Sequence, residues 1–104
     1  MKRIIEGKRY DTKTADLIAE WSNHYYRNDF HHCEETLYRT PRGAWFLVGE
    51  GGPLSKYSVP VGDNGRGGGE DLRPLSEHEA MAWMEEHGCM AELEEWFAEA
   101  VEDA

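Results

Sequence analysis

The sequence predicts an α+β domain: a small antiparallel sheet of three to five strands, an N-terminal helix packed on it, and two acidic amphipathic helices at the C-terminus. Three observations predict it. Residues 36–40 and 44–48 are β-rich runs joined by Pro41-Arg42-Gly43, whose proline presets φ and whose glycine permits a left-handed corner. Ser76-x-x-Glu79 is a capping box, which opens a helix. Residues 70–104 carry 12 acidic side chains and one basic one, a charge of −11, whereas residues 1–69 carry +1. The acid therefore belongs to one region of a single domain with three parts. Residues 1–61 hold a hairpin, a helix and antiparallel strands, residues 62–69 a flexible Gly-rich loop, and residues 70–104 an acidic helical segment.

Taken in order, residues 3–5 and 8–10 flank Glu6-Gly7, a pair suited to a tight hairpin turn. Asp11 or Thr12 then caps a helix running to about Ser22, with Ala15, Ile18 and Ala19, joined by Leu17 and Trp21, near helical period. Residues 24–33 are irregular and aromatic, with Tyr25, Tyr26 and Phe30 among polar neighbours, and read as a loop. After the 36–48 hairpin, residues 56–61 make a third strand, and Pro60 places its end at a sheet edge because proline cannot donate to a ladder. Five glycines in residues 62–69 read as a mobile surface loop, not a phosphate cradle: no Gly-Lys-Ser/Thr follows, and Glu70-Asp71 stands where phosphates need positive charge. Ala80, Trp83, Met84 and His87 line the first C-terminal helix, which Gly88 ends. Met90, Leu93, Phe97, Ala100 and Val101 line the second.

Composition narrows the function classes. A chain of 104 residues makes about one domain with a modest core. Its longest apolar run, residues 44–48, is far short of a membrane span, and the few apolar residues after Lys2-Arg3 are too few for a signal peptide, so a soluble intracellular protein is expected. Cys33 and Cys89 lie far apart and are expected as free thiols. A net charge of −10 disfavours nucleic acid and anionic membranes and favours a basic protein partner.

No enzyme chemistry emerges. His31-His32-Cys33-Glu34-Glu35 contains several ligand types, but neighbours on an extended chain face opposite sides, so at most two meet one metal, and His24 or Cys89 would have to complete the set. A Cys33 pair with His24 or His78 has no local signature, and burial of Cys33 is the expected reading. No metal and no cofactor is expected. The patterned feature is the last helix, where Glu92, Glu95, Glu99 and Glu102 repeat at i, i+3 and i+4, with axial separations of about 4.5–6 Å. Their mutual repulsion costs roughly 0.2–0.5 kcal/mol per pair, and no lysine or arginine follows Arg73 to relieve it.

The chain also carries the sets Ile4-Ile5-x-Gly7-x-x-Tyr10-Asp11-Thr12-x-Thr14-Ala15, Glu35-x-Leu37-Tyr38-x-Thr40-x-x-Gly43-x-Trp45-Phe46-Leu47 and Gly51-Gly52-x-x-Ser55-x-Tyr57. With Pro74-Leu75 and Ala80-x-x-Trp83, these resemble a family of small proteins from phages and mobile elements, acidic members of which include anti-CRISPR proteins. The resemblance implies a non-enzymatic inhibitor in the cytoplasm of a bacterial host. Its acidic surface would mimic DNA on a basic nucleic-acid-binding protein, a Cas effector complex, and block target DNA. The partner-binding residues expected from the stripe are Glu92, Glu95, Glu99 and Glu102, helped by Glu85 and Glu86; the stripe itself lies outside the resembling region. The alternative is a regulatory interaction module that contacts its partner through the sheet or through Tyr25, Tyr26 and Phe30. A monomer, or a homodimer through Met90, Leu93 and Phe97, fits either reading.

Overall fold

A computed structural model describes residues 1–104. Its first element is the expected hairpin: β1 (Lys2–Ile5) and β2 (Lys8–Asp11) turn through Glu6 (φ 50) and Gly7 (φ 77). Consecutive left-handed residues form the turn whose twist matches that of the strands it joins.

The expected helix ending near Ser22 is not there. Asp11 folds the chain into a turn instead, its Oδ1 accepting the Lys13 amide at 2.9 Å and its carbonyl accepting the Ala15 amide at 3.1 Å. The chain then enters β3 (Asp16–Ser22), which pairs antiparallel with β4 (Cys33–Arg39). A bulge between Leu17 and Ala19 inserts one residue into this pair. That insertion places Ile18, Ala19 and Trp21 together against the core, a spacing that imitates a helical stripe.

The principal sheet has the order β3-β4-β5-β8, all antiparallel, with β5 spanning Trp45–Gly51 and β8 Gly69–Leu75. The β4–β5 connection is the Pro41-Gly43 corner, with Gly43 at φ 89. Between β5 and β8, β6 (Val59–Val61) and β7 (Gly65–Gly67) form a separate hairpin. Half of the glycine segment expected as a loop, residues 65–67 and 69, is therefore strand, while 62–64 form the hairpin turn, and residues 70–75 of the expected helical segment are strand. The fold is mostly sheet, eight strands in three sheets, with helices only at the C-terminal end.

Those helices are α1 (Glu77–Glu86) and α2 (Met90–Trp96). The capping box forms as expected: Ser76 Oγ accepts the Glu79 amide at 3.1 Å while Glu79 Oε1 accepts the Ser76 amide at 2.9 Å. Gly88, at φ 70, separates the helices. Both lie on one face of the sheet, where Ala80, Trp83, Met84 and Leu93 pack on Ala19, Leu37, Trp45, Leu47 and Leu75. On the opposite face, Tyr10 of the opening hairpin meets Phe46 edge-on at 5.6 Å and joins Leu72 in a smaller cluster. No helix is long and apolar enough to cross a membrane.

Candidate functional site

Strand alternation sends Glu34 and Glu35 to opposite faces, and Glu35 goes inward. At 1% exposure it is a fully buried carboxylate on the helix face of the sheet. Its partners converge from the loop that follows β5 and from α1 with its C-cap. Lys56 Nζ lies 2.9 Å from Oε2, the Tyr57 hydroxyl donates to the same oxygen, and Trp83 Nε1 donates to Oε1 at 3.1 Å. His87 is packed between Trp21 and Trp83, with tilted rings and centroids at 4.4 and 4.7 Å, and its Nε2 stands 3.5 Å from Glu35 Oε1. Burial pushes the Glu35 carboxyl upward, but the hydrogen bonds from Tyr57, Lys56 and Trp83 outweigh it and hold the group below the usual carboxylate range. The same burial and the same carboxylate push the Tyr57 hydroxyl far upward, so it stays a donor.

This arrangement fastens the sheet to α1. It lacks the attributes of an acid–base centre, because a carboxylate saturated by three donors and held ionised is a poor proton acceptor. Cys33, next to Glu35, is buried as expected. Burial and the Glu35 charge push its thiol up, opposite to the depression that activates a nucleophile.

The expected partner-binding glutamates do not lie on one helix. Glu92 and Glu95 lie on α2, but α2 ends at Trp96. Phe97 leaves the helical region (φ −133, ψ 34) and lays its ring on Trp45 at 5.3 Å. Glu99 follows in a 3-10 turn, Ala98–Ala100, and Glu102 lies beyond it in chain without regular structure. Glu85 and Glu86 close α1. Ala100 and Val101, expected on the apolar face of the last helix, are exposed. Of the three residues that a homodimer would use, Leu93 and Phe97 pack on the chain's own core and Met90 is exposed. The acid is thus a broad surface at the helical end, not a regular row.

A second surface is formed by the loop between β3 and β4. There Tyr26 is 85% and Phe30 62% exposed, with Tyr25 half exposed beside His31. The loop carrying them is pinned by Asn23, whose Nδ2 donates to the His31 carbonyl at 2.7 Å and whose Oδ1 accepts the Cys33 amide at 3.1 Å. Comparison of the chain with family models, with curated proteins and with solved structures gives no match.

Proposed function

We propose that this protein is a non-enzymatic binding module that docks its acidic helical end on a Lys/Arg-rich surface of a nucleic-acid-binding protein and excludes nucleic acid from it. One observation carries the reading. The last turns of α1 and α2 contain Glu85, Glu86, Glu94 and Glu95 and no basic residue. A helix C-terminus carries partial negative charge, so acid there costs about 0.3–1 kcal/mol per group where a base would be stabilising. A basic partner would turn that cost into binding energy and would steer association over long range.

A Cas effector is the partner class implied by the resemblance to phage and mobile-element proteins, and the bacterial cytoplasm is the matching compartment. The contacting residues on this reading are Glu85, Glu86, Glu92, Glu95, Glu99 and Glu102. The break after Trp96 makes general charge complementarity the stronger basis for binding than phosphate-by-phosphate mimicry.

A second reading is favoured by the exposed Tyr26 and Phe30, since large aromatics are over-represented in interface hot spots. The two readings separate in one capture experiment from host lysate, at low and high salt, with bound proteins identified by mass spectrometry. Reversing Glu85, Glu86, Glu92 and Glu95 to lysine is expected to abolish capture, and salt near 1 M to weaken it steeply. Loss of capture by Tyr26→Ser and Phe30→Ser, with the charge-reversed protein still binding, would move the interface to the aromatic loop.

A further inference from the structure

We infer that His32, Glu34 and Glu50 form a binding site for a divalent transition-metal ion, with Zn2+ the best match to their donor set. The site lies on the sheet face opposite the helices. His32 stands immediately before β4, two residues from Glu34, and Glu50 is the register partner of Glu34 on β5. One ligand atom from each of the three residues lies within 4.8 Å of the others.

The histidine distinguishes this cluster from ordinary surface acid. His32 is 5% exposed, and its Nε2 is buried without a hydrogen-bond partner. Its Nδ1 stands 3.1 Å from the Tyr25 carbonyl oxygen, an atom that only accepts, so Nδ1 carries a hydrogen and donates. In the neutral ring this leaves the Nε2 lone pair free, 3.5 Å from Glu34 Oε1. A backbone carbonyl that fixes one ring nitrogen while the other is presented is the usual outer-shell support of a metal-binding imidazole. Leaving a buried nitrogen unpaired costs about 1–3 kcal/mol, a cost that a metal bond would remove.

The carboxylates make the same point. Glu34, Glu50 and Glu70 are paired in register across β4, β5 and β8, placing like charges directly opposite one another. Such pairs are destabilising without a cation. Arg27 serves as that cation, its Nη2 lying 3.3 Å from Glu34 Oε2 and 2.7 Å from Glu50 Oε1. Its side chain is 76% exposed and comes from the loop, so it can swing away. A cleft of about 610 Å³, lined by Arg27, His32, Glu50 and Glu70 among others, gives an ion and its waters access. Zn2+ takes imidazole nitrogen and carboxylate oxygen at about 2.0–2.2 Å, so the three ligands must draw together, which the half-exposed Glu50 can do once Arg27 leaves. One imidazole and two carboxylates leave a fourth position for water.

The test is titration of tag-free protein with ZnCl2, followed by calorimetry and by amide NMR shifts. The expected result is about one ion per chain, with shifts centred on residues 32, 34 and 50. Glu50→Gln and His32→Gln are each expected to weaken binding by about tenfold or more. Arg27→Gln, which removes the competing cation at an exposed position, is expected to tighten it several-fold. Glu50→Gln and Arg27→Gln touch no buried core, so a folding defect in His32→Gln would not decide the matter. Shifts centred on His24, His31 or His78, unchanged affinity in Glu50→Gln, or weaker binding in Arg27→Gln would overturn the assignment.

Discussion

Gly49 stands directly opposite Glu35 in the β4–β5 pair, and its missing side chain is the space through which the Tyr57 ring crosses β5 to reach the carboxylate. A Cβ on Gly49 would overlap the ring atoms of Tyr57. Gly49→Ala is therefore expected to expel the tyrosine and destabilise the protein by about 1–3 kcal/mol, measured by urea unfolding. In a Tyr57→Ala background the same substitution should cost far less, because the obstacle is gone. Equal costs in both backgrounds would show that the close approach is not the cause.

Glu35 should be the most sensitive polar position. Glu35→Ala leaves the Trp83 N–H and the Tyr57 hydroxyl without their acceptor, while the Lys56 ammonium, 60% exposed, stays solvated, and the loss of the two acceptors is expected to cost about 2–5 kcal/mol. Trp83→Phe, which keeps most of the ring but removes the donor, should cost about 1.5–3 kcal/mol. Chemical denaturation of both variants checks the order.

Acid should loosen the fold through the same residue. The Glu35 carboxyl is held below its ordinary value of 4.5, so between the folded and unfolded values the unfolded chain binds more protons than the folded one. Stability from this group is thus fully present above the unfolded value and is lost as pH falls through the folded value. Unfolding free energy should fall as the pH is lowered below about 4.5, and Glu35→Gln should remove part of that slope. Glu34 and Glu79 are shifted in the same direction and account for some of the remainder.

The capping box should matter to α1 alone. Ser76→Ala is expected to cost about 0.5–2 kcal/mol and to speed amide exchange over the first turn, while β4 and β5 stay protected. Uniform loss of protection would mean that the cap supports the whole fold and not one helix.

Local chemistry made part of this structure legible. Glu6-Gly7 and Pro41-Arg42-Gly43 name their turns because left-handed corners need particular residues, and Ser76 with Glu79 names a helix start by reciprocal hydrogen bonding. The error at residues 12–22 has a physical source. A bulge at Ile18 shifts β alternation by one residue, so Ile18, Ala19 and Trp21 carry the spacing of a helix face while Ala19 and Trp21 pair with Leu37 and Glu35 as strand. Only the partner strand decides between the two, and it lies beyond any local window.

The end of α2 was hidden for a similar reason. No glycine or proline follows Trp96; what stops the helix is the docking of Phe97 on Trp45, a residue of β5. The buried role of Glu35 depends on Lys56, Tyr57, Trp83 and His87, all distant in sequence, and alternation made readable only that Glu34 and Glu35 face apart, not which of them is buried. Likewise, two ligands on one side of residues 31–35 could be expected from the strand period, whereas Glu50 enters only through the β4–β5 register.

The bulge has one more effect. β3 lies at the border of the principal sheet, with Leu17 exposed and one row of its backbone groups unpaired within the sheet. A straight strand there would be a template for another chain to add to. Twisting by the extra residue, together with the outward charges of Asp16 and Glu20, spoils that template. The irregularity that disguised a strand as a helix thus guards the molecule against edge-to-edge aggregation.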